Sequence, residues 1–279
     1  MPWNFGADWH AAEPVFLDGN WWYDEHDNAF GYRLGGDERR EWADTTWDFP
    51  GPEQYPELAA EQRPGWTAPA GEKALREAIV SGDPHAIDLV AGQHPQYRST
   101  ADTLAGLLSL NTRRSYAGEL LDRAIQSGYE PKDDPFIESY LPGAGIVVPI
   151  APGVVVALPL MRTAVALATA ELHQEAQEYE RAISALEPVE RTTHVTLSLT
   201  ELLVAAGRHQ DAVELTEAVI NTDDVAALTL AYRAIAQREL GDLDAAAVTL
   251  ETVFSRGRPS AEVIRFAEIV RQSLTSTPK

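Results

Sequence analysis

The sequence predicts a mainly α-helical chain built from helix-turn-helix repeats, with a small antiparallel β-module at the N-terminus and a β-hairpin inserted before the repeats. Three observations carry this. Apolar residues recur at three- and four-residue spacing from Gly71 to Gly128 and again from about Thr163 onward, the period of amphipathic helices. A pattern returns after 34 residues, where Ala206-Gly207-Arg208-His209-Gln210-Asp211-Ala212 aligns with Leu240-Gly241-Asp242-Leu243-Asp244-Ala245-Ala246. Asp-Gly and Pro-Gly turns separate aromatic or β-branched runs, as hairpins require.

Residues 1–70 form the expected β-module and a linker. Val15-Phe16-Leu17, Trp21-Trp22-Tyr23 and Phe30-Gly31-Tyr32-Arg33-Leu34 read as three short strands, joined by Asp18-Gly19-Asn20 and by Asp24 to Asn28. Pro50, Pro52, Pro56, Pro64 and Pro69 then punctuate a polar stretch that wraps or links. The chain's seven tryptophans are concentrated in the first 50 residues, more than a small sheet needs, so some are expected to reach the helical part. The spacing of Trp22 and Trp42 is similar to that of proline-reading WW modules, although Ala43, not proline, follows the second tryptophan.

Residues 71–142 are expected to form short helical hairpins. Ser81-Gly82-Asp83-Pro84 ends one helix and starts the next, with Asp83 as N-cap and Pro84 in the first helical position; a second break falls near Asn111 to Ser115. From Ala144 to Met161 there are 18 consecutive uncharged residues, the lower limit for a membrane span. Pro149, Pro152 and Pro159 and the β-branched content argue instead for a hairpin over 143–162, with strands Ile146–Ile150 and Val154–Leu158 about Ala151-Pro152-Gly153. The proline within the first strand suggests an edge strand. No membrane partner is expected.

Residues 163–279 hold the repeats and a last helix, Ala261 to Leu274, suited to capping them. A third copy, Ala176-Gln177-Glu178-Tyr179-Glu180-Arg181-Ala182, precedes the 206–212 pattern by 30 residues. From Ala164 to Pro259 the chain resembles the tetratricopeptide repeat family, whose unit is a pair of antiparallel helices with glycine at the inner turn and alanine at their close crossing. Gly207 and Gly241 match the turn, and Ala182, Ala212 and Ala246 match the crossing. The family's bulky aromatic signature residues are largely missing, and Gln177 stands at the first turn. The whole chain also looks like uncharacterised actinobacterial proteins with a tetratricopeptide C-terminal part, which implies no activity.

Charge and motifs narrow the function. With 22 Lys and Arg against 43 Asp and Glu, the net charge of -21 disfavours nucleic acid and favours a basic or amphipathic protein or peptide partner. Residues 1–70 alone carry 14 acidic against 4 basic residues. The absence of cysteine excludes disulfides, thiolate zinc sites and cysteine nucleophiles. No two of the seven histidines stand four apart, and Asp24-Glu25-His26-Asp27-Asn28 lacks the spacing of a calcium loop. No phosphate loop, dinucleotide fingerprint or Gly-x-Ser-x-Gly motif occurs. The residues therefore predict a non-enzymatic cytoplasmic scaffold without a cofactor. Met1 to Asp8 has neither the basic region nor the apolar run of a secretory signal. The resemblance implies a concave groove lined by the first helix of each unit, which places Glu171, Gln174, Glu175, His194, Leu197, Glu201, Arg238 and Glu239 along the partner-binding face. The alternative is a small-molecule-binding or catalytic site where the N-terminal β-module meets the helices, motivated by the aromatic and carboxylate density around Trp21 to Tyr32.

Overall fold

In a computed structural model of the chain, the described residues are 71–110, 112–141, 143–151, 154–255 and 259–275. The expected β-module, its tryptophans and the junction site of the alternative reading lie outside them. The described residues are mainly helical, with twelve α-helices and one two-stranded antiparallel sheet. The helices are α1 (Glu72–Val80), α2 (Pro84–Gln93), α3 (Arg98–Ser109), α4 (Arg114–Gln126), α5 (Pro135–Tyr140), α6 (Arg162–Glu175), α7 (Tyr179–Leu186), α8 (Thr193–Ala205), α9 (His209–Leu215), α10 (Asp224–Glu239), α11 (Leu243–Ser255) and α12 (Ala261–Thr275). Strands β1 (Gly145–Ala151) and β2 (Val154–Pro159) stand between α5 and α6. They realise the expected hairpin, and among the described residues no helix is long and apolar enough to cross a membrane. β2 alternates between half-buried and exposed residues, whereas β1 is buried along most of its length despite Pro149.

The chain separates into two compact units: one contains residues up to 148 together with 156–172, the other 149–155 and 173–279. In the first unit α1, α2, α3 and α4 pack each on the next. Leu75, Ile79, Ile87, Leu104, Leu107 and Leu120 are among the largest fully buried side chains of that core. Asp83 caps α2 as expected, accepting the His85 N–H at 2.9 Å, with Pro84 in the first turn. Asp102 of α3 is almost wholly buried, and its charge is held by a two-pronged pair with Arg123 of α4, at 3.1 Å from Nε and 2.8 Å from Nη2.

Two turns of this unit share a device that the sequence analysis passed over, the recurring Ala-Ile-x-Ser-Gly of residues 78–82 and 124–128. Gly82 and Gly128 take left-handed φ values of 65° and 76°. At each turn the serine Oγ donates to the alanine carbonyl, at 2.6 Å for Ser81 and 2.7 Å for Ser127. It also accepts the N–H of the residue after the glycine, at 3.3 Å from both Asp83 and Tyr129. The serine thus satisfies a helix-end carbonyl that the reversal would leave open.

The second unit solves the same problem with backbone alone. The N–H of Gln177, Gly207 and Gly241 bonds the carbonyl three residues back, at 2.9, 3.1 and 2.9 Å. The next N–H, of Glu178, Arg208 and Asp242, reaches five residues back at 2.8, 2.8 and 2.9 Å. All three turn residues are left-handed, Gln177 included, at φ 61°, 75° and 85°. The crossing alanines Ala182, Ala212 and Ala246 have no exposed surface. The longer helices start at polar caps: Thr192 accepts the Val195 N–H at 3.3 Å and Asp223 the Ala226 N–H at 2.8 Å. Helix α10 packs on α8, α9, α11 and α12, which is why Ala226 to Tyr232 are all buried.

Two sets of variants check these arguments. A Cβ on Gly106 of α3 would lie 2.6 Å from Leu121 Cδ2 and 2.7 Å from its Cγ. Gly106→Ala is expected to lower stability by about 1 kcal/mol, overpacking outweighing the gain in helix propensity; the denaturant midpoint measures it. At the left-handed turns, Gly207→Ala should cost about 1 kcal/mol, whereas Gln177→Gly should leave stability unchanged or raise it. If both shift the midpoint downward alike, the turns are not governed by their left-handed residue.

A candidate partner-binding face

Gln174, Glu201 and Tyr232 reach one another from three different helices, α6, α8 and α10. Glu201 is half-buried, and its Oε1 accepts a hydrogen bond from Gln174 Nε2 at 3.2 Å. The Tyr232 hydroxyl donates to the same carboxylate. Burial pushes the Glu201 pKa above the ordinary carboxyl value, and the two hydrogen bonds oppose that rise without cancelling it. Tyr232 moves upward too, through burial first and the neighbouring carboxylate second, so its hydroxyl remains a donor. The far side of its ring rests against Phe266 of α12, with centroids 5.0 Å apart.

The residues selected from the sequence divide into groups. Gln174 and Glu201 are in direct contact, at the centre of this arrangement. Arg238 and Glu239, at the end of α10, pair with each other, and the Arg238 guanidinium also donates to Ser273 of α12. Glu175 is exposed and His194 half-buried. Leu197 has no exposed surface, and its side chain belongs to the core of the second unit. Glu171 is half-buried and precedes residue 173, so it belongs to the first unit and not to the face built here.

Tyr232 and Phe266 are the residues that the sequence reading missed. The helical period contained a signal for the first: a stripe through Leu228, Ala231, Ile235 and Arg238 passes position 232 as well as 231. Phe266 had none, because its placement depends on how α12 packs against α10.

This arrangement can receive a cation. A half-buried carboxylate held, among the described residues, by neutral donors has unused acceptor capacity, and an incoming guanidinium or ammonium would remove the cost of its charge. Among the described residues no group of three or more histidine or carboxylate side chains is placed to hold a metal ion.

The raised pKa makes a signed prediction. The folded chain holds the Glu201 proton more firmly than the unfolded chain does, so stability falls as pH rises from the ordinary carboxyl pKa through the raised one. Glu201→Gln removes that titration while keeping an oxygen that accepts from Tyr232. The variant is therefore expected to melt at or above the parent temperature at neutral pH, with any advantage vanishing in acid below the ordinary carboxyl range. Melts across that range check this, and a variant that melts lower at neutral pH contradicts it. Compared with known proteins, the chain matches no family model, no curated protein and no solved structure.

Proposed function

We propose that the second unit is a non-catalytic binding module of tetratricopeptide type that takes a basic or amphipathic segment of another protein along the face of α8 and α10. The observation that carries the reading is Glu201, a half-buried carboxylate met among the described residues only by Gln174 and Tyr232. The repeat character is supported by three turns with the same pair of backbone hydrogen bonds, three fully buried alanines after them, and the packing of α10 on both α8 and α12. The partner's charge follows from the net -21, which draws basic segments in at long range and repels polyanions. Glu175 and Glu239, both exposed, add to the acidic character of α6 and α10.

The test is a panel of amphipathic helical peptides, basic and acidic versions of the same apolar pattern, titrated against the full chain by fluorescence anisotropy. Basic peptides are expected to bind and acidic ones not, with affinity falling as salt rises. Glu201→Gln should weaken binding by about tenfold, the worth of one charge-assisted hydrogen bond. Indifference to peptide charge, or equal binding by the variant, would remove this face from consideration.

A further inference from the structure

The first unit contains a cleft of about 570 Å3 that the binding reading does not use. It opens between the start of α1, the single turn Pro95–Tyr97 that precedes α3, and the loop leading into α5. One wall is aromatic: Tyr97 meets Phe136 edge-on with centroids 6.3 Å apart, and Phe136 packs on Tyr140 at 4.8 Å. The rest of the lining is polar and carries Glu72, Glu130, Asp133 and Asp134 beside neutral residues such as Gln96 and Thr100, and among the described residues it includes neither lysine nor arginine.

The carboxylates are set at different points of the cleft. The Tyr140 hydroxyl donates to Glu72, while the Tyr129 hydroxyl and the Phe136 N–H, the latter at 2.8 Å, donate to Asp134. Asp133 sits at the exposed rim. Burial raises the Tyr97 pKa, and the charges of Glu72 and Asp134 raise it further, which registers the negative field along the aromatic wall. The described residues offer no convergent metal-binding group, so the acidity is spread along the cleft and not focused on one point. A ligand that answers this pattern carries positive charges separated by an apolar spacer: ammonium groups for the carboxylates, and methylenes for the ring faces.

We propose that this cleft is a binding site for a linear aliphatic polyamine, whose methylene chain lies on the Tyr97 ring, backed by Phe136, and whose ammonium ends meet Glu72 and the neighbouring Asp133 and Asp134. The site is independent of the face on α8 and α10, and either can fail without the other.

Spermidine titrated calorimetrically into the full chain at near-physiological ionic strength tests it. A chain this acidic attracts polycations everywhere, so the informative result is one saturable site that responds to particular residues. Glu72→Gln, which keeps an acceptor for Tyr140, and Asp133→Asn at the rim should each weaken spermidine about tenfold. Tyr97→Leu should weaken it several-fold by removing the ring face. Asp244→Asn and Glu251→Gln, exposed carboxylates of the second unit, should leave the affinity unchanged, and melts of all five variants confirm folding. The same titration with Mg2+ is expected to show no saturable binding sensitive to Glu72→Gln. Equal effects of the cleft and distant variants would reduce the binding to general counterion attraction and overturn the proposal. Mg2+ binding at the same residues, or the absence of a saturable spermidine site, would overturn it as well.

Discussion

The sharp turns after α1, α4, α6, α8 and α10 each end a helix within one residue, and the left-handed backbone conformation is what permits it. An L-residue with a side chain reaches that region at a cost, so glycine occupies it at residues 82, 128, 207 and 241. Once the chain has turned, the last carbonyls of the helix still need donors. The first unit supplies them with a serine hydroxyl, and the second with the backbone N–H of the turn residue and of the residue after it. Gln177 shows that the hydrogen-bond pair, and not the glycine, defines the turn: the same two bonds form with a side chain present.

Sharp turns place consecutive helices side by side, and close approach then demands small residues between them. Ala182, Ala212 and Ala246 are fully buried, each near the start of the helix that follows a turn. Gly106 performs the corresponding role in the first unit, where Leu121 occupies the space a Cβ would need. Such tight packing leaves little tolerance for polar groups, and two buried ones show how they are tied down. Asp102 has Arg123, and Thr249 donates to Gln237 at 2.8 Å. Glu201 stands apart from these, because its partners are neutral and its burial is incomplete. That difference separates a carboxylate settled within the fold from one that can still accept a partner.

Two acidic features among the described residues call on the same electrostatics in different ways. On α8 a single carboxylate is presented with a tyrosine and a glutamine, an arrangement suited to one cationic side chain of a larger partner. In the cleft of the first unit, carboxylates are distributed along an aromatic wall, an arrangement suited to a small ligand with several charges. Both lie in a chain whose net charge of -21 attracts cations at long range.

Periodicity and turn chemistry alone determined much of the described chain: the helices of residues 71–128, the break at Ser81 to Pro84, the strands on either side of Pro152-Gly153, and the last helix from Ala261. These are local properties, set by side-chain spacing and by the φ that glycine and proline permit. Gln174 and Glu201 were also legible, since helical phase placed them on adjoining first helices. Leu197 was not distinguished from them, because phase assigns a residue to a stripe but cannot say how deep the neighbouring helices bury it. The Tyr232–Phe266 contact and the Tyr97–Phe136–Tyr140 wall were decided by tertiary structure. Each joins residues far apart in the sequence or rests on packing, and contacts of that kind exist only once helices have taken their positions around a shared core.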